Sequence, residues 1–289
     1  MSQDNELFPD LPVQYEPQSI SQAGLGPVWT QHKAQLIAKY IYLFTIITRH
    51  GAYIDGFAGP KKKDLPDSWA AELVVETEPR RLREVFLCDL DDQKVEELQK
   101  LVGRQPDADK RDYRVIAGDF NASVGQILNS GLIKEKTATF CLIDQFTLEC
   151  HWATLQALAQ HKPEGARKIE IFYFLATGWL HRSLGSTTVN VERPDLWWGG
   201  DSWKELLSHS GERIAIRMAE RFRDELGYRY VKPYPIYERE RGGGKVMFHM
   251  IHASDHPEAH KLMARAHRNV TLAPEPLHQL ELELSKIEP

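Results

Sequence analysis

Cysteine is scarce in this chain: three among 289 residues, Cys88, Cys141 and Cys150, with no CxxC pair. So small and scattered a set gives neither a disulfide framework nor the ligand spacing of a zinc or iron-sulfur site. It fits reduced thiols in a cytoplasmic protein. A long apolar run is missing as well. The most apolar stretch, LIAKYIYLFTIITRHGAYI from Leu36, carries Lys39, Arg49 and His50 and falls short of the ~20 apolar residues that a membrane span requires. The opening MSQDNELFPD has no basic and no apolar region, so no export signal is expected. Net positive charge is absent: the formal charge of -5 argues against wholesale coating of nucleic acid, while a local basic groove stays compatible with it. No internal repeat, low-complexity segment or GxGxxG fingerprint occurs.

What is present is a composition, 42% hydrophobic and 27% charged, that supports one large α/β domain with its own core. A polar leader (1–26) precedes it, the domain runs over 27–270 with a lid-like insertion at 178–204, and a tail follows (271–289). The segment from Thr30 to Arg49 has helical spacing, with Leu36, Tyr40, Leu43, Phe44 and Ile47 on one face. Strand-like runs follow at AYIDGF (Ala52), EVFLCD (Glu84), YRVIAGD (Tyr113), TFCLID (Thr139) and KIEIFYFLA (Lys168), with amphipathic segments such as DDQKVEELQKLV and WATLQALAQH between them. This alternation predicts βαβ units and a parallel sheet with helices on both faces. YRYVKPYPIYERE and KVMFHMIHAS flank RGGG and predict a hairpin, closed by a helix in DHPEAHKLMARAH. Five parallel strands and then an antiparallel hairpin resemble the Rossmann-like sheet of class I S-adenosylmethionine-dependent methyltransferases.

Ligands of doubly wound sheets bind beyond the carboxyl ends of the strands, and four strands here end in an aspartate. Asp55 is followed by Gly56, Phe57 and Gly59, a turn whose glycines let backbone approach a ligand. Asp89 is placed to accept ribose hydroxyls, Asp119 with Phe120 to meet an adenine, and Asp144 with Gln145 to orient an incoming nucleophile, Asp144 as base. The plain alternative for each is a helix cap or turn former. The interval from Asp55 to Asp89 exceeds the ~20 residues of the dinucleotide fingerprint, which weighs against a nicotinamide enzyme.

YIDGFAGP, AGDFN, FCLIDQF, WWGGDSW and HASDHPEAHKLM, together with VWTQHKAQLIAKY from Val28, resemble the three-Cys-motif partner proteins (TcmP) of bacteria, from about Gly26 to Arg268. The resemblance implies a methyltransferase-like fold, an S-adenosylmethionine-type cofactor and a separate radical-type iron-sulfur protein that carries the three-cysteine motif. The chain departs from the family at two places. Lys61, in a run with Lys62 and Lys63, stands where a further glycine is usual, and Asp144-Gln145-Phe146-Thr147 replaces Asp-Pro-aromatic-Gly. The Asp/Asn-Pro-Pro-aromatic motif of amino-methyltransferases on DNA is absent.

The stretch from Thr177 to Trp203 is long for a connection. Trp179, Trp197 and Trp198, with Arg182, can stack a flat substrate, or the tryptophans can pack the segment against the sheet. Lys61, Lys62 and Lys63 with Arg80 and Arg81 form the net-basic group assigned to the pocket mouth, a place for nucleic acid. The arginines of ERIAIRMAERFRDELG are balanced by acids and predict a solvated helix face. Two functions remain open: a methyltransferase of unknown acceptor, or a non-catalytic partner subunit with a degenerate cofactor cleft.

Overall fold

The computed structural model describes residues 28–61, 68–106, 110–185, 191–239 and 244–271. Lys62, Lys63, the leader and the tail from residue 272 lie outside them.

Among the described residues the predicted alternation forms seven strands: β1 (Gly51–Asp55), β2 (Leu82–Asp89), β3 (Asp112–Ala117), β4 (Thr139–Ile143), β5 (Glu170–Leu175), β6 (Tyr230–Tyr237) and β7 (Val246–Ser254). They make one sheet in the order β3-β2-β1-β4-β5-β7-β6. β1 to β5 pair in parallel. β7 inserts antiparallel between β5 and β6, so β6 runs with the first five. The central strands β1, β4 and β5 are buried along their whole length, which is why they read as unbroken apolar runs. Edge strand β6 tolerates Pro233 and Pro235 because one of its sides needs no ladder donors.

Helices cover both faces. On one lie α1 (Val28–Thr48), α2 (Ala70–Val75), α3 (Asp92–Gly103) and α9 (Ala259–Thr271). On the other lie α4 (Phe120–Leu128), α5 (Trp152–Gln160), α6 (Leu180–Gly185), α7 (Glu192–Trp198), a 3-10 helix at Asp201–Ser208 and α8 (Gly211–Asp224). The two-residue period of β1 assigns the layers: Ala52 and Ile54 enter the core under α4 and α5, Tyr53 that under α1 and α2. Local chemistry starts the helices. Asp91 caps α3 by accepting from the N–H groups of Gln93 and Lys94, and Ser210 caps α8. α8 buries Ile214, Ala215, Met218 and Phe222; Arg217 pairs with Glu220 on the solvated face as expected, whereas Arg221, though paired with Glu225, departs from that expectation and lies against the rings of Trp152 and Trp198. The stretch predicted as a lid is mostly helical and packed. Trp197, Trp198 and Trp203 are core residues in it.

Among the described residues no helix is long and apolar enough to cross a membrane.

Candidate functional site

The strand order 3-2-1-4 brings the four aspartates into a row, Asp119, Asp89, Asp55, Asp144, along the carboxyl edge of the sheet. Their hydrogen bonds decide what the row can hold.

Asp89 has both oxygens engaged. Oδ2 accepts from the Gly59 N–H at 2.9 Å and Oδ1 from the Asp91 N–H at 3.0 Å, with Lys94 Nζ at 3.9 Å. A Cβ on Gly59 would lie 2.5 Å from Asp89 Oδ2 and from Lys94 Cβ. The glycine is thus needed for the loop's own approach to β2. A Cβ on Gly56 would come within 2.6 Å of the Phe120 ring, so Phe120, buried and edge-on to Phe57 at 6.1 Å, packs where a ligand's approach was expected.

Asp55 is buried. Its Oδ1 accepts from the Phe57 N–H at 3.1 Å and its Oδ2 from the Tyr53 hydroxyl at 3.0 Å. Burial pushes its carboxyl up to about 7, against the pull of these two donors. Asp119 differs: it is exposed, and Oδ1 takes the Asn121 N–H and side-chain amide while capping α4. Its Oδ2 has no hydrogen bond among the described residues.

Asp144 forms a buried ion pair with Lys33 of α1. The Lys33 ammonium also lies over the rings of Phe174 and Phe248, 4.5 and 4.0 Å from their centroids. Burial pulls Lys33 down from its ordinary range, partly opposed by Asp144. For Asp144, burial pushes upward, but Lys33 and Lys61 outweigh it and hold the carboxylate low. Lys61 reaches across from the end of β1, its ammonium donating to the Asp144 carbonyl at 2.8 Å. Gln145 is buried, its Oε1 accepting from the Cys150 N–H at 2.9 Å. As folded, Asp144 is held by its own protein, while the Gln145 Nε2 is buried with no hydrogen-bond partner among the described residues.

Beside them, Phe146 is 69% exposed, 5.7 Å from the Trp179 ring, which abuts Phe248 at 4.8 Å. Arg182 is exposed on α6. Trp197 and Trp198 do not join this group. The Trp197 indole N–H donates to the Tyr173 hydroxyl at 2.6 Å, and Trp198 donates to Ser202 and stacks on Arg221. The packing alternative holds for them, because a buried indole needs one partner and finds it inside the fold.

The basic group divides. Lys61 lies beyond the carboxyl end of β1, whereas Arg80 and Arg81 precede Leu82 at the amino end of β2, where they bond Glu78, Gln105 and the Thr45 carbonyl. A strand's length separates them, so the reading that places all of them at one pocket mouth is corrected.

Sequence reasoning missed Lys33, Leu90 and Phe146. Leu90, 73% exposed, follows Asp89, whose carbonyl accepts from the Gly118 N–H at 3.0 Å beside Asp119. A lone leucine after a strand gives no sign of exposure, but Lys33 announces itself as a cation one turn before a buried helical face.

No family model and no curated protein matches the chain. A solved structure of the DszA carbon methyltransferase aligns with 71% of it at 15% identity and a TM-score of 0.41. The alignment covers 47% of that protein, so the chain spans about half its length. The strand order, with a single antiparallel strand inserted next to the edge, carries the fold assignment. The fold is methyltransferase-like.

Proposed function

We propose that the chain is a methyltransferase-like binding subunit whose cofactor cleft is filled by its own side chains, and that it works beside the three-Cys-motif iron-sulfur protein implied by the motif resemblance. One observation carries this: the Lys61 ammonium spans from the end of β1 to the carbonyl of Asp144, beside the turn of Gly56 and Gly59 where the methionine end of S-adenosylmethionine would lie. A sulfonium there would meet a cation; the bare repulsion of like charges ~4 Å apart near a protein surface is about 4 kcal/mol, reduced here by Asp55 and Asp144, which lie within the field of Lys61. Asp89 is buried, and both of its oxygens already accept from the protein's own loop. Asp144, held by Lys33 and Lys61, is a poor base. The residues therefore do not fit the cofactor as folded, and no transfer step is derived.

Exposed Leu90 and Phe146 at the same edge give a partner apolar surface to cover. Gel filtration of the chain mixed with the purified iron-sulfur protein tests this. Co-elution at micromolar concentration, weakened at least about tenfold by Phe146→Asp, is expected. Separate elution, or a complex indifferent to Phe146→Asp, would remove the partner from this edge.

A second reading, an S-adenosylmethionine-dependent transferase of unknown acceptor, is favoured by one specific feature. Asp119 is exposed with an uncommitted oxygen next to exposed Leu90, a polar acceptor and an apolar face suited to an adenine. Micromolar binding of S-adenosylhomocysteine, lost in Asp119→Ala, would establish that reading. For nucleic acid, Lys61 on one edge and Arg80 with Arg81 on the other are separate candidate contacts.

A further inference from the structure

A cavity of about 320 Å³ opens at the amino edge of the sheet, the end opposite the aspartate row. α1 and α9 wall it, and the starts of β4 and β5 and the end of β7 form its floor. Its two sides differ in chemistry. Tyr40, Phe44 and Ile47 of α1 and Leu262 of α9 make an apolar wall. The other side carries Lys162, Arg167 and His256.

The acids of the cavity are largely committed to protein donors. Glu170 accepts from Tyr40, His252 and Ser254. Asp255 takes the N–H groups of Lys168 and Arg229, with Lys168 Nζ at 3.6 Å. Glu135 is exposed on the rim. The donors are not committed in the same way. The Lys162 side chain is buried and, among the described residues, reaches only the Thr137 carbonyl. Arg167, exposed, has no hydrogen bond or ion pair among the described residues.

His256 is the most telling. Its Nδ1 accepts the Glu258 N–H at 3.1 Å, which in the neutral ring puts the proton on Nε2. That Nε2 is buried and has no partner. A buried donor without an acceptor is unfavourable unless something supplies one. The surplus of donors beside an apolar wall defines the missing group: an anionic oxygen on an apolar body.

We propose that this cavity is a ligand site for a small amphipathic anion, its carboxylate or phosphate head held by His256, Lys162 and Arg167 and its aliphatic or aryl body lying against Tyr40, Phe44 and Leu262. The volume is at the small end of ligand pockets, which fits a medium-length acid and not a nucleotide cofactor. The site is separate from the aspartate row and does not depend on the reading given to it.

Calorimetric titration of the full chain with octanoate, octyl phosphate and octanamide tests the proposal. Both anions are expected to bind saturably, and the isosteric amide at least about tenfold more weakly, because charge-assisted hydrogen bonds are roughly twice as strong as neutral ones. Whichever anion binds more tightly identifies the head group. Arg167→Glu, an exposed change that leaves the core intact, should weaken the anions about tenfold and leave the amide unchanged. Thr48→Trp, which fills the cavity from the end of α1, should abolish all three. Equal affinity for amide and anions, the absence of saturable binding, or anion binding untouched by both variants would overturn the proposal.

Discussion

The two edges of the sheet are built from the same materials and end differently. At the carboxyl edge, Asp55, Asp89 and Asp144 take their hydrogen bonds from the protein's own loop N–H groups, a tyrosine and two lysines. At the amino edge, Glu170 is satisfied in the same manner, yet Lys162, Arg167 and the His256 Nε2–H are left over beside a cavity. One helix serves both. Lys33, near the start of α1, closes the carboxyl edge, and Tyr40, two turns on, donates to Glu170 at the amino edge. The difference teaches that a row of strand-end acids marks a ligand site only where the acids keep free lone pairs. Asp119 is the exposed one of the four and meets that condition best; the others are buried.

The largest effect should come from breaking the closure at the carboxyl edge. Asp144→Asn leaves Lys33 buried without its counter-charge and should cost about 3–5 kcal/mol in urea unfolding. The double variant Lys33→Met, Asp144→Leu should regain most of that. A loss below ~1 kcal/mol in the single variant would mean the pair is solvated and the edge open.

Next is the matching change at the other edge. Glu170→Gln weakens a carboxylate that accepts from three side chains, and about 2–3 kcal/mol is expected. If the edges are independent, the Glu170 and Asp144 effects should add within ~0.5 kcal/mol. A larger coupling would show that α1 transmits strain between them.

Asp55 gives a smaller, pH-dependent effect. Its carboxyl is raised from an ordinary 3.8 to about 7, so between those values the folded state binds more protons than the unfolded one. Its contribution is fully present below about pH 4 and is lost as the pH rises through about 7. Asp144 and Glu170, both held low, act in the opposite sense and lose their contribution as the pH falls below ~4. Stability should therefore peak near pH ~5, and Asp55→Asn should flatten the fall toward pH 8, which is on the order of 1.4 kcal/mol for each pH unit between the peak and about 7. Melting temperatures at a series of pH values measure both. A wild-type profile that rises steadily to pH 8 would contradict the burial assigned to Asp55.

Much of the fold was legible in the sequence. The continuous apolar runs of β1, β4 and β5 and the spacing of α1 have direct local signatures. α2, α6 and α7, of six or seven residues, have too few turns to show a period. The hairpin of β6 and β7 was legible as a local pair. Its docking through β7 onto β5 was not, because that pairing joins residues ~80 positions apart and no turn encodes it. At the site, the turn of Gly56 and Gly59 and the aspartates were readable, but what approaches them was not. Lys33 meets Asp144 across 111 positions, and Gly59 meets Asp89 across 30. The tryptophans at 197 and 198 show the limit from the other side: their types suit stacking on a base as well as packing in a core, and only the position of Tyr173 and Arg221 distinguishes the two.

Lys61→Gly should have the least effect on stability, about 1 kcal/mol, since it removes one exposed side chain and its hydrogen bond to the Asp144 carbonyl. It nevertheless tests the central claim most directly. Calorimetric titration of the wild type with S-adenosylmethionine and S-adenosylhomocysteine should give no heat, and Lys61→Gly should gain measurable binding, more for the sulfonium than for the neutral thioether. Micromolar binding of S-adenosylmethionine by the wild type, lost in Asp89→Ala and unchanged in Lys61→Gly, would show the cleft open and the account wrong.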